Sequence, residues 1–135
     1  DLEIFGGDLY LKYGDVSDLY RDIVDLYKFY LDKRHLLSDS FPSLIRMSLR
    51  LLCEAACKET SQTSLDKYIG HYFPKGKKNL DQDIKTSMAN QNVAQSNLLQ
   101  LLHTGAHKYQ AANNIDQTIA MSYIIGEMLK LSHGK

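Results

Sequence analysis

Apolar residues recur every three or four positions through three long stretches of this 135-residue chain. The first stretch is DVSDLYRDIVDLYKFYLDKRHLL, which starts at position 15, and the others cover residues 43–59 and 114–133. This spacing places apolar side chains along one face of an α-helix, whereas a half-buried strand needs strict alternation. The pattern therefore restricts the chain to an all-α fold.

Helix boundaries are indicated by capping and breaking residues. Asp15 or Ser17 can cap the first helix, which we expect to end near Leu36, and Pro42 suits the first turn of the next. The second helix, SLIRMSLRLLCEAACKE, is apolar on most sides, and this predicts that it is the central helix of the fold.

Shorter helices are predicted between the second and the last long one. LDKYIGHYF reads as a short helix ended by Pro74, NLDQDIKTSMA as another, and VAQSNLLQLLHTGA as a longer one. We expect an antiparallel bundle of four main helices plus short helices over residues 15–135. Residues 1–14 alternate in DLYLKY between turn glycines, so they predict an extended segment lying across the helical body.

Composition excludes some functions for the chain as a whole. Sixteen basic and sixteen acidic side chains cancel, so there is no overall basic character that would favour nucleic acid. No apolar run approaches the roughly 20 residues that cross a bilayer. Cys53 and Cys57 lie four apart in a helical pattern, which is typical of small buried residues in a reducing compartment, and we therefore expect a cytoplasmic location. Since the chain starts without methionine, we expect it to be one domain of a longer protein.

His103 and His107 share a helical face, as zinc-binding pairs do. A zinc-peptidase helix also has glutamate directly after the first histidine, and Thr104 stands there instead. We therefore expect no metal and no cofactor, and we interpret the pair as the end of a core helix at a cleft or interface.

Two further groups of charged residues are candidates for binding. Arg46, Arg50 and Glu54 recur at four-residue spacing, which indicates either an internal ion pair between helices or a contact with an anion or RNA phosphate. The second group is the lysines of PKGKK, which are Lys75, Lys77 and Lys78. They lie close in sequence to aromatic residues, and they form either a solvated loop or a nucleic-acid contact.

Several segments together resemble the HEPN-like helical domains of bacterial proteins. FPSLIRMSLRLLCEAA resembles the second helix of these domains, and SNLLQLLHTGAHKY with IDQTIAMSYIIGEML resembles their closing helix pair. FGGDLYLKYGDVSDLYRDI is similar to the lead-in seen where such helices follow a ParB/sulfiredoxin-like domain. The resemblance implies an antiparallel bundle, a homodimer, and a role in defence or mobile-element conflict.

Active members of this family are metal-independent ribonucleases. Their motif is an arginine, four to six further residues and a histidine, on the third helix at the dimer cleft. His103 and His107 fit the histidine, but Asn97 stands six positions before His103 and no arginine lies in that window. Asparagine cannot supply the positive charge that stabilises the transition state.

Two function hypotheses follow, with a third beside them. The leading one is a non-catalytic HEPN-like module for dimerisation or partner binding in a larger bacterial DNA-directed or defence protein. The second is a ribonuclease with His103 or His107 as acid/base and Arg46 or Arg50 stabilising charge. The third is a single-stranded nucleic-acid binder that uses the PKGKK lysines, and RNA or DNA could also be contacted through the parent protein.

Overall fold

The structure, a computed structural model, is an all-α helical bundle, as the apolar spacing predicts. It describes the backbone of residues 3–107 and 113–135, and the side chains of these except residues 105–107. Within these ranges a 3₁₀ turn at Ile4–Gly6 is followed by α1 (Asp15–Lys33), α2 (Pro42–Lys58), α3 (Leu65–Lys77), α4 (Gln82–Asn90), α5 (Gln95–His107) and α6 (Ile115–His133).

Side-chain caps start three of these helices. At the start of α3, the Ser64 side chain accepts a hydrogen bond from the Lys67 amide. In the same way, the Asp81 side chain accepts from the amide of residue 84 at α4, and the Asn114 side chain accepts from the amide of residue 117 at α6. Each cap satisfies one of the amide groups that a helix start leaves free. Pro42 opens α2 in its first turn, as predicted.

Helix α6 is the central element of the bundle. Every residue from Thr118 to Leu129 is buried, and the helix packs against α2, α3, α4 and the 3₁₀ turn. Helix α2 packs against α1, α3, α5 and α6, as a central helix does, but it leaves one apolar face exposed, so α6 is the more enclosed of the two. The sequence signal for α6 is its composition, with more large apolar residues and fewer charged ones than α2.

The close approaches at α6 are visible at two glycines. A β-carbon placed on Gly126 would lie 3.0 Å from the Phe5 carbonyl oxygen, and one placed on Gly76 of α3 would lie 3.0 Å from Cβ of Glu127. Neither site has room for a larger side chain without movement of its neighbour. These glycines therefore set the distance at which the 3₁₀ turn and α3 pack on α6.

The N-terminal segment lies across the helical body, as predicted. The Phe5 amide donates to Ser122 Oγ at 2.9 Å, and the Leu9 amide donates to Tyr20 Oη at 2.8 Å. Leu11 pairs with Gly134 in an isolated antiparallel β-bridge. The segment ends where α1 begins at Asp15, and its buried side chains belong to the same core as the helices.

Helix α3 does not end at Pro74, contrary to the sequence prediction. It continues to Lys77, so PKGKK forms its last turn and its C-terminal cap instead of a loop. Proline removes the hydrogen bond to the carbonyl of Gly70, four residues earlier. Both Gly70 and Pro74 are exposed, so water can reach that carbonyl, while buried Phe73 and Gly76 hold the last turn against the core.

Candidate functional site: the outer face of helix α2

Three large apolar side chains on α2 point away from the core. Leu44, Met47 and Leu51 are 48%, 42% and 55% exposed, and their spacing of three and four places them on one side of the helix. We call these three residues the α2 strip. Single exposed leucines are common, but a contiguous group on one helix face marks an interaction surface.

Aromatic side chains extend this surface toward α1. Phe29 on α1 is 48% exposed and lies 6.1 Å, centroid to centroid, from Phe41, which directly precedes α2. Phe41 also stacks on Tyr30 at 6.0 Å with nearly parallel rings. Rings held in place by their neighbours lose little side-chain entropy when a partner covers them. The surface is therefore largely fixed before binding.

The border of the α2 strip is charged. Arg50 Nε donates to Glu54 Oε1 at 3.1 Å, and both side chains are partly exposed. The four-residue spacing accounts for this pair, but it lies within one helix and is not the internal ion pair between helices that was one of the two expectations. An exposed pair of this kind contributes only about 0.3–0.5 kcal/mol. It gives the strip one positive and one negative group along the same edge.

Arg46 lies on the opposite, inner side of α2 and is fully buried. Its Nε donates to Thr118 Oγ1 at 2.9 Å, and its Nη2 donates to Gln117 Oε1 at 2.9 Å and to the Asn114 carbonyl at 3.3 Å. All three acceptors are neutral and belong to the start of α6. Arg46 therefore joins α2 to α6, and among the described residues its acceptors include no carboxylate, although an internal ion pair was one expectation.

Burial lowers the pKa of Arg46 to about 10, because the charged guanidinium is removed from water. The group remains protonated at neutral pH. Its Nη1 has no hydrogen-bond partner among the described residues. An unsatisfied buried nitrogen on a charged group is rare in folded proteins and needs an explanation.

The histidine pair is only partly described. His103 lies half-buried on α5, and His107 is the last residue of that helix, with its side chain outside the described residues. Arg46 and Arg50, the two arginines considered for catalysis, make their hydrogen bonds to α6 and to Glu54. This geometry gives no support to a shared site of either arginine with His103.

The three lysines of PKGKK are exposed at the end of α3. Lys75 Nζ lies 3.1 Å from His71 Nε2, one turn earlier. Lys77 and Lys78 instead face an open cleft of about 340 Å³, together with Lys85 of α4 and Gln95 at the start of α5. The nearby aromatic side chains are not free for stacking on bases: Phe73 is buried, and Tyr72 packs against Tyr68 and His71.

One polar cluster was not predicted from the sequence. Glu59 Oε1 lies 2.9 Å from His133 Nε2, His133 Nδ1 lies 2.8 Å from Ser132 Oγ, and Ser132 Oγ lies 2.8 Å from Tyr68 Oη. We call these four residues the Glu59–Tyr68 relay. Its members are up to 74 positions apart, and no short motif joins them.

The order of atoms in this relay resembles that of a Ser-His-acid triad, but the surroundings are wrong for catalysis. With His133 neutral and carrying its proton on Nε2, Tyr68 donates to Ser132, Ser132 to His133 and His133 to Glu59. A nucleophilic serine also needs N–H donors for a developing oxyanion. Ser132 lies in the last turn of α6, where a helix presents carbonyl groups and the negative end of its dipole. The relay therefore ties together the ends of α2, α3 and α6.

Cys53 and Cys57 are free and buried, as predicted. Burial raises the pKa of the Cys53 thiol to about 12, with smaller contributions from Glu54 and Cys57. Such a thiol stays protonated and is neither a nucleophile nor a ready metal ligand at neutral pH. In the part of the chain that the structure describes, no three histidine, cysteine, aspartate or glutamate side chains are grouped so that they could hold a metal ion.

Comparison of the chain with family models, with curated proteins and with solved structures found no match. The HEPN-like resemblance thus stays a prediction. Among the helices of the described residues, none combines the length and the apolar character that crossing a membrane requires.

Proposed function

We propose that this chain is a non-catalytic HEPN-like helical module that forms a homodimer through the α2 strip, within a larger bacterial DNA-directed or defence protein. The observation that carries the proposal is the exposure of Leu44, Met47 and Leu51 on one face of a core helix. The two free, buried cysteines agree with a cytoplasmic setting for it.

Burial of the α2 strip offers a driving force for association. Fully burying a leucine or methionine side chain stabilises by about 1.5–3 kcal/mol relative to leaving it exposed. Each side chain of the strip is about half exposed, so covering it with a partner gains part of this free energy. Phe29 adds an aromatic group of the kind that is enriched at the centre of interfaces. Together these groups form a compact apolar patch with a charged edge.

A second copy of the chain is the partner that the charges favour. The chain carries sixteen basic and sixteen acidic residues, so two copies do not repel each other through net charge. Arg50 and Glu54 lie side by side at the edge of the strip. A two-fold axis near that edge brings each of these residues close to its opposite charge on the other copy.

Sedimentation equilibrium with a matched pair of variants tests the dimer. We expect the wild-type chain to have the mass of a dimer and Leu51→Glu that of a monomer, because a carboxylate in the strip must be desolvated on association. Leu131→Glu is the control, since Leu131 is similarly exposed, at 43%, on α6. A monomeric wild-type chain at high concentration, or a Leu51→Glu variant that dimerises unchanged, contradicts the proposal.

The non-catalytic part of the proposal has its own test. We expect no cleavage when a single-stranded RNA is incubated with the purified chain in the presence of a metal chelator. Cleavage that is lost in the double variant His103→Ala and His107→Ala would instead assign the chain to the metal-independent ribonucleases.

A second candidate function is binding of single-stranded nucleic acid at the α3–α5 cleft. It is favoured by Lys77, Lys78 and Lys85, which line one cleft beside the start of α5. Lysines and a helix start both favour phosphate. Fluorescence anisotropy with a labelled oligonucleotide should then show binding that weakens with salt and is reduced in Lys77→Glu and Lys78→Glu but not in Lys33→Glu. Absent binding, or binding that Lys33→Glu weakens equally, removes this function.

A further inference from the structure

A cavity of about 190 Å³ lies where the N-terminal segment packs on α6. Residues 5–9 form one wall, the start of α4 forms the second, and Tyr123, Glu127 and Lys130 of α6 form the third. We call it the Tyr123 cavity. Pockets for drug-sized ligands usually have roughly 300–1,000 Å³, so this cavity suits a smaller molecule.

The walls of the Tyr123 cavity are held in place by the fold. The Phe5 amide donates to Ser122 Oγ at 2.9 Å, and a β-carbon placed on Gly126 would lie 3.0 Å from the Phe5 carbonyl oxygen. On another wall, Asp81 Oδ1 accepts from the Ile84 amide at 2.9 Å and caps α4. A ligand therefore meets a cavity that exists before binding, which lowers the entropic cost of association.

Three carboxylates and one lysine line the cavity, which leaves a net of two negative charges. Lys130 Nζ lies 2.5 Å from Glu127 Oε2, so this lysine is already paired. Among the described residues, Glu127 Oε1, Asp81 Oδ2 and both carboxylate oxygens of Asp8 make no hydrogen bond or ion pair. A concave site lined by one sign of charge raises the local concentration of the opposite ion. The unused acceptors therefore favour a positively charged ligand.

Tyr123 adds a polar group that the fold itself does not use. The residue is only 7% exposed, and its hydroxyl has no hydrogen-bond partner among the described residues. Within these residues, Arg46 Nη1 is the one side-chain nitrogen or oxygen that lacks a partner and is also closed off from solvent, so the Tyr123 hydroxyl touches solvent. Burial raises the pKa of Tyr123, and the hydroxyl stays protonated at neutral pH. A nearly buried hydroxyl without an internal partner needs an explanation, and a ligand in the cavity that Tyr123 lines supplies one.

The lining favours an organic cation over a metal ion. In the described part of the chain, the acidic, histidine and cysteine side chains form no group of three that could hold a metal ion. Phe5 and Tyr123 place aromatic residues beside the carboxylates. An ammonium group donates up to three hydrogen bonds to oxygen acceptors and is attracted to aromatic rings.

We propose that the Tyr123 cavity binds a small aliphatic amine, with Asp8 and Asp81 as its anionic groups and the Tyr123 hydroxyl as a neutral acceptor. The cavity shares no residue with the α2 strip or with the cleft at Lys77 and Lys78. Amine binding is therefore independent of the proposed dimer and of nucleic-acid binding.

Thermal unfolding at constant ionic strength tests the site, with sodium chloride replaced stepwise by putrescine dihydrochloride. Putrescine is the probe because its two ammonium groups match the net charge of the lining. A ligand that binds only the folded chain raises its melting temperature as its concentration increases. We expect this rise for the wild-type chain and none for 1,4-butanediol, which is of similar length but uncharged. No rise with putrescine, or an equal rise with the diol, overturns the proposal.

A matched pair of variants places the amine at the cavity. Asp81→Asn removes one charge and keeps the helix cap, because asparagine caps as well as aspartate does, and it should reduce the putrescine-induced rise several-fold. Asp83→Asn should keep the wild-type rise, since Asp83 lies in the first turn of the same helix but outside the cavity. Equal rises in the two variants contradict binding at this site.

Tyr123→Phe isolates the hydroxyl. Because no described group depends on it, the melting temperature of the free chain should not fall, whereas the Kd for putrescine should increase about two- to tenfold, as expected for one lost hydrogen bond. Isothermal titration calorimetry measures the Kd. An unchanged Kd, or a free chain that melts at a clearly lower temperature, would show that the hydroxyl serves the fold and not the ligand, and the proposal then fails.

Discussion

Helices α2 and α6 both lie in the core, but they meet their surroundings differently. From Thr118 to Leu129, α6 is buried on every side, and its neighbours approach closely at Gly126 and Ser122. Helix α2 buries one side and keeps Leu44, Met47 and Leu51 exposed. The sequence of α6 also contains more large apolar residues than that of α2.

In α6, small residues stand among large apolar ones. A helix covered on all sides needs positions where backbones can approach, and α6 has these at Ala120, Ser122 and Gly126. On α2 the large side chains of the outer face have no described neighbour packed over them, so the apolar surface there is available for a partner.

Truncating one large apolar side chain on each helix should give the largest difference in the free energy of unfolding between α2 and α6. Ile124→Ala on α6 removes a side chain with no exposed area and should lower the free energy of unfolding by about 2–5 kcal/mol. Leu51→Ala on α2 should change it by less than about 0.5 kcal/mol when the chain is monomeric. Urea unfolding of dilute protein measures both values. Similar losses at the two positions would show that α2 is also enclosed.

The Glu59–Tyr68 relay gives the next largest expected effect. Ser132→Ala removes the hydrogen-bond partner of the buried Tyr68 hydroxyl, and an unsatisfied buried hydroxyl costs about 1–3 kcal/mol. Tyr68→Phe in the same chain should recover part of this loss, because no donor is then left unpaired. Urea unfolding of the two single variants and the double variant measures the coupling. Strictly additive losses would mean that Tyr68 does not depend on Ser132.

Two glycine-to-alanine changes should have opposite signs. Gly126→Ala places a β-carbon 3.0 Å from the Phe5 carbonyl and should destabilise the chain by about 1 kcal/mol or more, since overpacking costs about 1–3 kcal/mol. Gly70→Ala on α3 meets no atom within 4 Å and should stabilise by about 0.5–1 kcal/mol, because alanine is the better helix former. Thermal unfolding of both variants provides the comparison. A stable Gly126→Ala variant contradicts the close packing at α6.

The cysteines of α2 should show a gradient of protection along that helix. The Cys53 thiol has a pKa raised by burial to about 12, whereas Cys57 is slightly exposed. Since the thiolate is the reactive form, iodoacetamide should label Cys57 first and Cys53 only through larger opening of the fold. Mass spectrometry of labelled peptides over time measures the two rates, and denaturant should accelerate Cys53 labelling more. Equal rates without denaturant would indicate that α2 frays as a unit.

Much of the fold could be predicted from local sequence patterns. Pro42 and Asn114 mark helix starts because capping and proline chemistry act within one turn. Helix α1 starts at Asp15, but its N-cap is Gly14 and no side chain caps it, so the prediction that Asp15 or Ser17 does so is wrong. Pro74 misled the prediction for α3, because the exposed side of a helix tolerates a missing hydrogen bond when its other side is well packed. Tertiary contacts decided the end of this helix.

The polar interactions were less predictable, because they join distant parts of the chain. Arg50 and Glu54 are four residues apart, and their ion pair could be foreseen. Arg46 was expected to need a carboxylate, but it meets Gln117 and Thr118, which lie more than 70 positions later. Position along one helix indicates that two residues share a face, but it does not indicate which distant helix supplies their partners.

The attachment of the first residues to the last helix also has a consequence for synthesis on the ribosome. The Phe5 amide donates to Ser122 Oγ, and the Lys12 amide donates to the His133 carbonyl. The Lys135 amide donates to the Tyr10 carbonyl. The chain emerges from its N-terminal end, so residues 3–12 must wait for almost all of the remaining sequence before their partners exist. During that interval Phe5 and Leu9 lack the contacts with α6 that later bury them. The core closes only after translation has passed α6, so this helical bundle folds late relative to its own synthesis.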